Sequence, residues 1–389
     1  MAIEADDIKD VVDAIRQLCS GFSLDYWDEC DRNGAFPREF YEAFAAGGWL
    51  GCTAPEEYGG GGGGVRVGAA VLQEVARGGG AMSACSTVHL PMLSIASLVN
   101  HGSEEQKKRF IPEIAEGRLF ASFGVTEPDA GTDTTQITTR AEKVPGGYKI
   151  SGRKTWNSGA LQADRILLLA RTNPRDENKK TAGMSLFFAS LREPEVTIQP
   201  IRKIGRHAVP SCDVYFDGLF VPEEDLIGEE GKGFRYILDG LNSERLLIAA
   251  EALGIGTWAL EKATAYANER TVFNRPIGKN QAVQHPLAKD HIALEAAKLA
   301  LDAGIEAFDS GENPKRAGEL ANIAKYLASE AAFQTTDDCM QTHGGYAFAK
   351  EYHVGRYWIE SRLMRLAPIN NQMVLNYVGE HVLKLPRSF

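Results

Sequence analysis

Cysteine is scarce in this chain, 6 of 389 residues, and the six stand apart at Cys19, Cys30, Cys52, Cys85, Cys212 and Cys339 without a CxxC pair. That spacing predicts reduced thiols and no disulfide framework. The 8 histidines are equally dispersed and no HExxH occurs, so no catalytic metal is expected. Positive charge is in the minority: 42 Lys and Arg face 52 Asp and Glu, a net charge of −10. An acidic surface argues against the basic footprint of a nucleic-acid binder. No run approaches 18 uninterrupted apolar residues, so no membrane-spanning helix is expected. Met1 to Asp7 lack the basic start of a signal peptide, and Arg387-Ser388-Phe389 is not a Ser-Lys-Leu address, so a cytoplasmic protein is the expectation. With 44% hydrophobic residues, a disordered chain is ruled out. The length exceeds what one core usually serves, and two or three sub-domains follow.

Three textures succeed one another. Residues 1–118 read as an all-α domain, with Phe40, Phe44 and Trp49, then Val71, Val75 and Met82, at helical spacing. The six glycines Gly59–Gly64 between them contain a trivial GxGxxG. No strand precedes it and no acidic partner follows, so a flexible loop is expected rather than a dinucleotide turn. Residues 119–228 carry short β-branched and aromatic runs, such as Arg165–Arg171, Met184–Phe188 and Cys212–Asp217, punctuated by Pro145-Gly146-Gly147 and Val221-Pro222. They predict a small antiparallel β domain. Residues 229–389 return to long Ala- and Leu-rich helical segments, Phe234–Arg270, His285–Phe308 and Leu320–Thr342, resembling a four-helix bundle. The fold class is therefore α+β in the order α, β, α, with no βαβ alternation.

Chemistry concentrates in a few stretches. Thr126-Glu-Pro-Asp-Ala-Gly-Thr132-Asp133 is a turn rich in hydroxyls and backbone donors, suited to an electron-rich ring or a phosphate. A plain surface turn fits it equally well. Trp156 stands two positions from Ser158 on one expected strand face, where a tryptophan is ordinarily core. Phe123–Asp133 and the Trp156/Ser158 pair resemble the two flavin-contacting segments of the acyl-CoA dehydrogenase family. Glu269-Arg270-Thr-Val-Phe273, Gln281 with Ala282, and Gln341-Thr-His-Gly344-Gly345 resemble three further segments of that family, and the α–β–α order agrees along nearly the whole chain.

The resemblance implies FAD as cofactor and assigns residues to it. Phe123, Val125 and Thr126 would contact the ring, Trp156 would pack beside it, and the Ser158 hydroxyl would donate toward flavin N5. Thr132 would lie near the FAD pyrophosphate or the thioester ligand. Arg270, Phe273, Gln281, Gln341, Gly344, Gly345 and Gln372 would serve the cofactor too. Of these Arg270, Phe273, Gln281 and Gln341–Gly345 would reach the FAD of a neighbouring subunit, which implies a homo-oligomer, typically a tetramer. The implied activity is α,β-dehydrogenation of an acyl-CoA, as in fatty acid metabolism, with electrons passed to an electron-transfer flavoprotein. The same fold would also serve an oxidase, an enoyl reductase, a non-redox elimination or a silent acyl-CoA-binding homologue.

Removing a thioester α-proton needs a desolvated base and donors for the developing enolate. At the family's common base position, within Arg365–Gln372, this chain has Pro368, which supplies neither a carboxylate nor an N–H. The family's second location is the long helix after the β domain. There Ile237, Leu241, Glu244 and Ile248 form one stripe, and burial would raise a carboxyl pKa toward that of a useful base. The expected base is Glu244, with Glu251 as second choice; Asn242 and Arg245 are expected on the substrate. A Glu salt-bridged inside the bundle is the alternative. Without the N–H at residue 368, the carbonyl donor is left to Ile369, to the Asn370 or Asn371 side chains, or to a ribityl hydroxyl alone. Ser86–Ser94 is helical and a candidate pocket floor, with His89 expected as a packed polar residue.

Overall fold

The protein is known from a computed structural model, whose described residues are 5–387. Met1–Glu4 and Ser388-Phe389, on which the targeting expectations partly rest, lie outside the described residues. Backbone packing groups the chain into two compact units. One comprises Met1–Asp31, Val65–Cys85 and Asn242–Phe389; the other comprises Arg32–Gly64 and Ser86–Leu241.

Six helices open the chain: α1 (Ala5–Ser20), α2 (Leu24–Asn33), α3 (Arg38–Ala46), α4 (Gly64–Val75), α5 (Ala81–His101) and α6 (Glu104–Ala115). The start of α6 is fixed by a capping box, in which the Ser103 hydroxyl accepts from Gln106 N and Gln106 Oε1 accepts from Ser103 N. Val71 and Val75 share α4, but Met82 does not continue their helix. Ala76–Gly80 forms a wider-wound, π-type kink with Gly79 at φ 104°, a conformation that only glycine adopts without strain. The Gly59–Gly64 run is not an open flexible loop. The N–H groups of Gly59 to Gly63 donate to the carbonyls of Glu56, Pro55, Gly51, Ala54 and Cys52. A Cβ on Gly60 would stand 2.3 Å from the Ala54 carbonyl oxygen. The glycines permit a close backbone approach.

The β region contains β1 (Ala121–Gly124), β2 (Arg140–Val144), β3 (Gly147–Ser158), β4 (Arg165–Arg171), β5 (Met184–Ser190), β6 (Val196–Pro200), β7 (Ser211–Pro222) and β8 (Leu226–Ile227). They form one sheet in the order β6-β7-β3-β2-β4-β5-β8, with β1 added beside β4. The sheet is mixed rather than purely antiparallel. A tight turn joins β2 to β3 and a loop over 172–183 joins β4 to β5, both pairs antiparallel, whereas β1 lies parallel to β4, Ala121 opposite Arg165. The whole β2–β3 excursion separates them in sequence. Ile166–Arg171 are all buried, so β4 shows no alternation because both of its faces are covered. Its core joins Leu167, Leu169, Leu186 and Phe188 to Phe110 and Ile114 of α6.

The other unit is helical: α7 (Gly233–Glu269, entering the unit at Asn242), α8 (Gln281–Ser310), α9 (Pro314–His343), α10 (Val354–Met364) and α11 (Asn371–Tyr377), with a hairpin of β9 (Thr271–Val272) and β10 (Arg275–Pro276) after α7. Gly311 at φ 64° ends α8, and Asn313 caps α9 ahead of Pro314. Trp258 of α7 stacks on Tyr357 of α10 with centroids 3.6 Å apart. A Cβ on Gly254 of α7 would meet the Gln73 carbonyl oxygen of α4 at 2.1 Å. The buried Glu360 carboxylate accepts from Met82 N and Ser83 N at 2.8 and 3.2 Å, satisfying donors in the first turn of α5. One helical run, Gly64–His101, is long and apolar enough for a membrane span by length and composition, yet 72% of its most apolar window is buried. None of the six cysteines forms a disulfide, and all are buried.

Candidate active site

In the β-rich unit the Phe123–Asp133 segment leaves the end of β1. Strand β3 clamps it from behind: Lys154 Nζ donates to the Val125 carbonyl at 3.0 Å, and Thr155 N donates to the Thr126 carbonyl at 2.9 Å. Lys154 is completely buried and paired with Glu127 at 2.8 Å. Glu127 also accepts from Thr138 N, Thr138 Oγ1 and Thr139 N at 2.6–2.9 Å. Burial alone would raise the Glu127 pKa. The Lys154 charge and these hydrogen bonds outweigh burial and hold it at about 2, while burial pulls Lys154 down to about 8 against the attraction of Glu127. The pair fixes the backbone on which Val125, buried, and Thr126 and Phe123, half-buried, are mounted. Thr132 is exposed beyond the Glu127–Ala130 turn.

Trp156 corrects the core expectation. The ladder between β3 and β7 slips between Lys154 and Asn157, and Trp156 takes φ 61° with 57% of its surface exposed. A bulge re-aims a side chain out of the strand's alternation, and here it presents an indole to solvent. Ser158, half-buried at the strand end, accepts from Arg206 Nη2 at 2.6 Å, and Ser122 Oγ donates to the Ser158 carbonyl.

In the helical unit Phe273 and Asn274 both have positive φ, 52° and 61°, at the tip of the β9–β10 hairpin. Phe273 is 94% exposed. A phenylalanine held this way is strained, and such strain gathers at functional positions. Beside it an open groove of about 450 Å³ is lined by Tyr266, Arg270, His343, Gly344, Gly345 and Tyr346. Arg270 lies over the Tyr346 ring at 5.8 Å and forms no ion pair among the described residues. Gln281 stands exposed at the start of α8, and Gln341 at the end of α9. Gln372 faces a smaller pocket beside Glu330 and Arg365.

On α7, Asn242, Glu244 and Arg245 are half-buried, whereas Glu251 is completely buried. Arg245 Nη1 donates to Asn242 Oδ1 at 2.8 Å. Burial pulls the Arg245 pKa below the ordinary arginine value, opposed by Tyr377 and Glu244. The segment Arg365–Asn371 is pinned by Lys325, fully buried, which donates to the Ile369 carbonyl at 2.7 Å and to Asn371 Oδ1 at 2.6 Å. Burial lowers the Lys325 pKa to about 8 in spite of Glu330. Asn371 Nδ2 donates to Glu330 at 2.7 Å, and Asn370 Oδ1 accepts from Met373 N as the cap of α11. This segment carries no carboxylate.

Residues 5–118, 122–219 and 231–383 match, in turn, the N-terminal, middle and C-terminal domain models of acyl-CoA dehydrogenases. Acyl-CoA dehydrogenase fadE12 of Mycobacterium bovis is 35% identical over 389 residues, covering 100% of this chain and 98% of its own length. The chain belongs to the acyl-CoA dehydrogenase family. It is an oxidoreductase of that class, and its cofactor is FAD. Another relative, the 3-(aryl)acrylate reductase of Clostridium sporogenes, is 33% identical over 92% of this chain and 93% of its own length. The solved complex of glutaryl-coenzyme A dehydrogenase with glutaryl-CoA superposes with a TM-score of 0.92 at 29% identity, covering 99% of this chain and 97% of that one.

The residues present suit FAD. An exposed indole beside a hydroxyl offers an aromatic face and a polar edge for an isoalloxazine, and an arginine with no ion pair among the described residues, next to Gly344 and Gly345, offers charge and open backbone to a diphosphate. Within the β-rich unit the structure brings Val125, Thr126, Trp156 and Ser158 to the β1 and β3 ends. Within the helical unit it gathers Arg270, Phe273, Gly344 and Gly345 around one groove, and Asn242, Glu244 and Arg245 on one stretch of α7. Sequence reasoning missed Lys154, Glu127, Lys325 and Arg206. A lysine at an inward strand position was a legible signal for the first, but Arg206 lies in an aperiodic loop that gave none.

Proposed function

We propose that this chain dehydrogenates an acyl-CoA thioester between Cα and Cβ, with Glu244 as the base that removes the α-proton. Bound FAD supplies the two-electron acceptor for the β-hydride. The observation that carries the choice of base is burial along α7. Glu251 is completely buried and closed to a substrate, whereas Glu244 keeps part of its surface open, and the Arg365–Asn371 segment offers no carboxylate. Glu244 lies half-buried on the stripe of Ile237, Leu241 and Ile248. Arg245, held by Asn242, provides a cation for the polar part of the thioester ligand.

Donation to the thioester carbonyl falls to Ile369 N–H or to the Asn370 side-chain amide. Pro368 has no N–H, the Asn371 amide is committed to Lys325, Ser329 and Glu330, and the Asn370 cap of α11 engages the acceptor Oδ1 rather than the donor Nδ2. Lys325 holds the next carbonyl and so keeps this stretch of backbone in place. Losing one such donor costs about 10²–10³ in rate, which is reason to retain the pinning. Ser158 and Thr126 hydrogen-bond the flavin edge, Trp156 covers the ring, and the Arg270 groove takes the cofactor of a second subunit in a homo-oligomer, a tetramer by family habit. Exposed Ile292, Leu299 and Phe273 supply apolar surface for that assembly. Electrons leave to an electron-transfer flavoprotein.

The test is anaerobic bleaching of the bound flavin by saturated acyl-CoAs of varied length and branching. Glu244→Gln should lose bleaching by at least 10³-fold while still binding the thioester, and Glu251→Gln should retain it. Parental bleaching in Glu244→Gln removes it as the base. The relative named as an arylacrylate reductase favours a second reading, reduction of an enoyl thioester by the reduced enzyme. Reoxidation of dithionite-reduced enzyme by an enoyl-CoA faster than bleaching by its saturated partner identifies that direction.

A further inference from the structure

Three serine hydroxyls converge on one guanidinium. Arg206 Nη2 lies 2.6 Å from Ser158 Oγ and 3.3 Å from Ser211 Oγ, and Nη1 lies 3.1 Å from Ser86 Oγ. The backbone at Arg206 has φ 57°, a conformation that strains a non-glycine residue and persists only where its surroundings impose it. Guanidinium has donors and no acceptor. Toward Arg206, then, Ser158 Oγ is the acceptor, and its single hydrogen is directed elsewhere. A hydroxyl that accepts from a cation is polarised and becomes a better donor through that hydrogen.

We propose that Arg206 is a positioning residue for the flavin edge: its guanidinium fixes the Ser158 hydroxyl as a donor toward the bound ring, and through that hydrogen bond favours the oxidised cofactor, whose N5 accepts it until reduction places a hydrogen there. The inference rests on the reading that places Ser158 at flavin N5 and adds a group to which that reading assigns no part. In this proposal Arg206 acts through Ser158 and is therefore a positioning rather than a catalytic residue. Its loop runs from Lys203, whose Nζ donates to the Val209 carbonyl at 2.7 Å and to Ser211 Oγ at 3.3 Å. A second cation thus braces the same turn independently, so Arg206 can be replaced without releasing the loop.

The experiment compares FAD-loaded parent, Ser158→Ala, Arg206→Met, Arg206→Lys and the Ser158→Ala/Arg206→Met double variant. The readout is the two-electron potential of bound FAD, by equilibration with a redox dye. Ser158→Ala and Arg206→Met should each shift the oxidised-to-reduced equilibrium about ten-fold toward reduced flavin, ~30 mV for a two-electron couple. The double variant should shift no further than Ser158→Ala, because the two act through one bond. Arg206→Lys, which keeps a cationic donor, should recover part of the shift. A parental potential in Arg206→Met beside a shifted Ser158→Ala overturns the proposal alone, as does a fully additive double variant. Parental potentials in both single variants remove Ser158 from the flavin edge and overturn the underlying reading. Thermal midpoints of the FAD-free variants, expected within a few degrees of the parent, separate a collapsed loop from an altered cofactor.

Discussion

Replacing Lys154 by methionine tests how the segment around Val125 and Thr126 is held. The change removes a charge with no solvent exposure and leaves Glu127, 4% exposed, without its ion-pair partner. Breaking a buried pair from one side costs about 3–5 kcal/mol, because the remaining charge is stranded. Three hydrogen bonds from Thr138 and Thr139 still serve Glu127 and pull toward the lower end. The Val125 carbonyl loses the Lys154 donor, which adds about 1 kcal/mol. A total near 4 kcal/mol follows, or roughly 8–16 °C in the midpoint of the β-rich unit at 2–4 °C per kcal/mol. The double variant Lys154→Met/Glu127→Gln removes both charges at nearly constant volume and should recover at least half of the loss. Scanning calorimetry with and without FAD reads both the midpoint and the cofactor's contribution. The sign with pH is also set. Glu127 sits below its ordinary pKa, so the stabilisation it gives is present above about 4.5 and is lost as pH falls toward about 2. Lys154→Met should flatten that acid limb. A loss under 1 kcal/mol, or a double variant no better than the single, refutes the buried-pair account.

Two further expectations concern the helical scaffold. Gly254→Ala drives a methyl to 2.1 Å from the Gln73 carbonyl oxygen and should cost about 3 kcal/mol through separation of α4 from α7, read as a lower urea midpoint. Gly240→Ala on the same helix meets nothing within 4 Å and should gain about 0.5–1 kcal/mol. Asp290 of α8 is buried beside Asp338 of α9; burial first, then that neighbour, raises its pKa to about 7. A raised acid stabilises the fold at low pH, and the advantage fades between about 4 and 7 as the carboxyl ionises. Asp290→Asn should therefore match the parent near pH 4 and exceed it above pH 7; equal thermal midpoints across pH 4–8 refute the assignment.

The legible part of the fold was the part written locally. Ala- and Leu-rich periodicity separated by Gly311 to Pro314 announced α8 and α9, and Pro145-Gly146-Gly147 announced the β2–β3 turn. The parallel pairing of β1 with β4 was not legible, because it joins segments about 40 residues apart and leaves no mark on a four-residue strand. The Gly59–Gly63 run misled for a related reason. Glycine permits a loose chain and a tight one alike, and only the facing Ala54, Cys52 and Gly51 carbonyls decide between them. Trp156 escaped the ordinary tryptophan expectation through a bulge that no alternation pattern encodes.

The same division runs through the site. Residues proposed to touch the cofactor stand in short contiguous motifs, since a ring or a diphosphate is met by one turn at a time, and such motifs survive in sequence order. The residues that hold those turns do not. Lys154 meets Glu127 across 27 positions, Arg206 meets Ser158 across 48, and Lys325 meets Ile369 across 44. Each of the three is a cation that ends on a carbonyl, a carboxylate or a hydroxyl of a segment assigned to chemistry. A long side chain with several donors and no acceptor can satisfy two or three oxygens on a bent backbone at once, which hydrophobic packing cannot do where the chain must stay open to a ligand. Supporting cations of this kind are therefore to be sought behind irregular loops, at whatever sequence distance the fold supplies them.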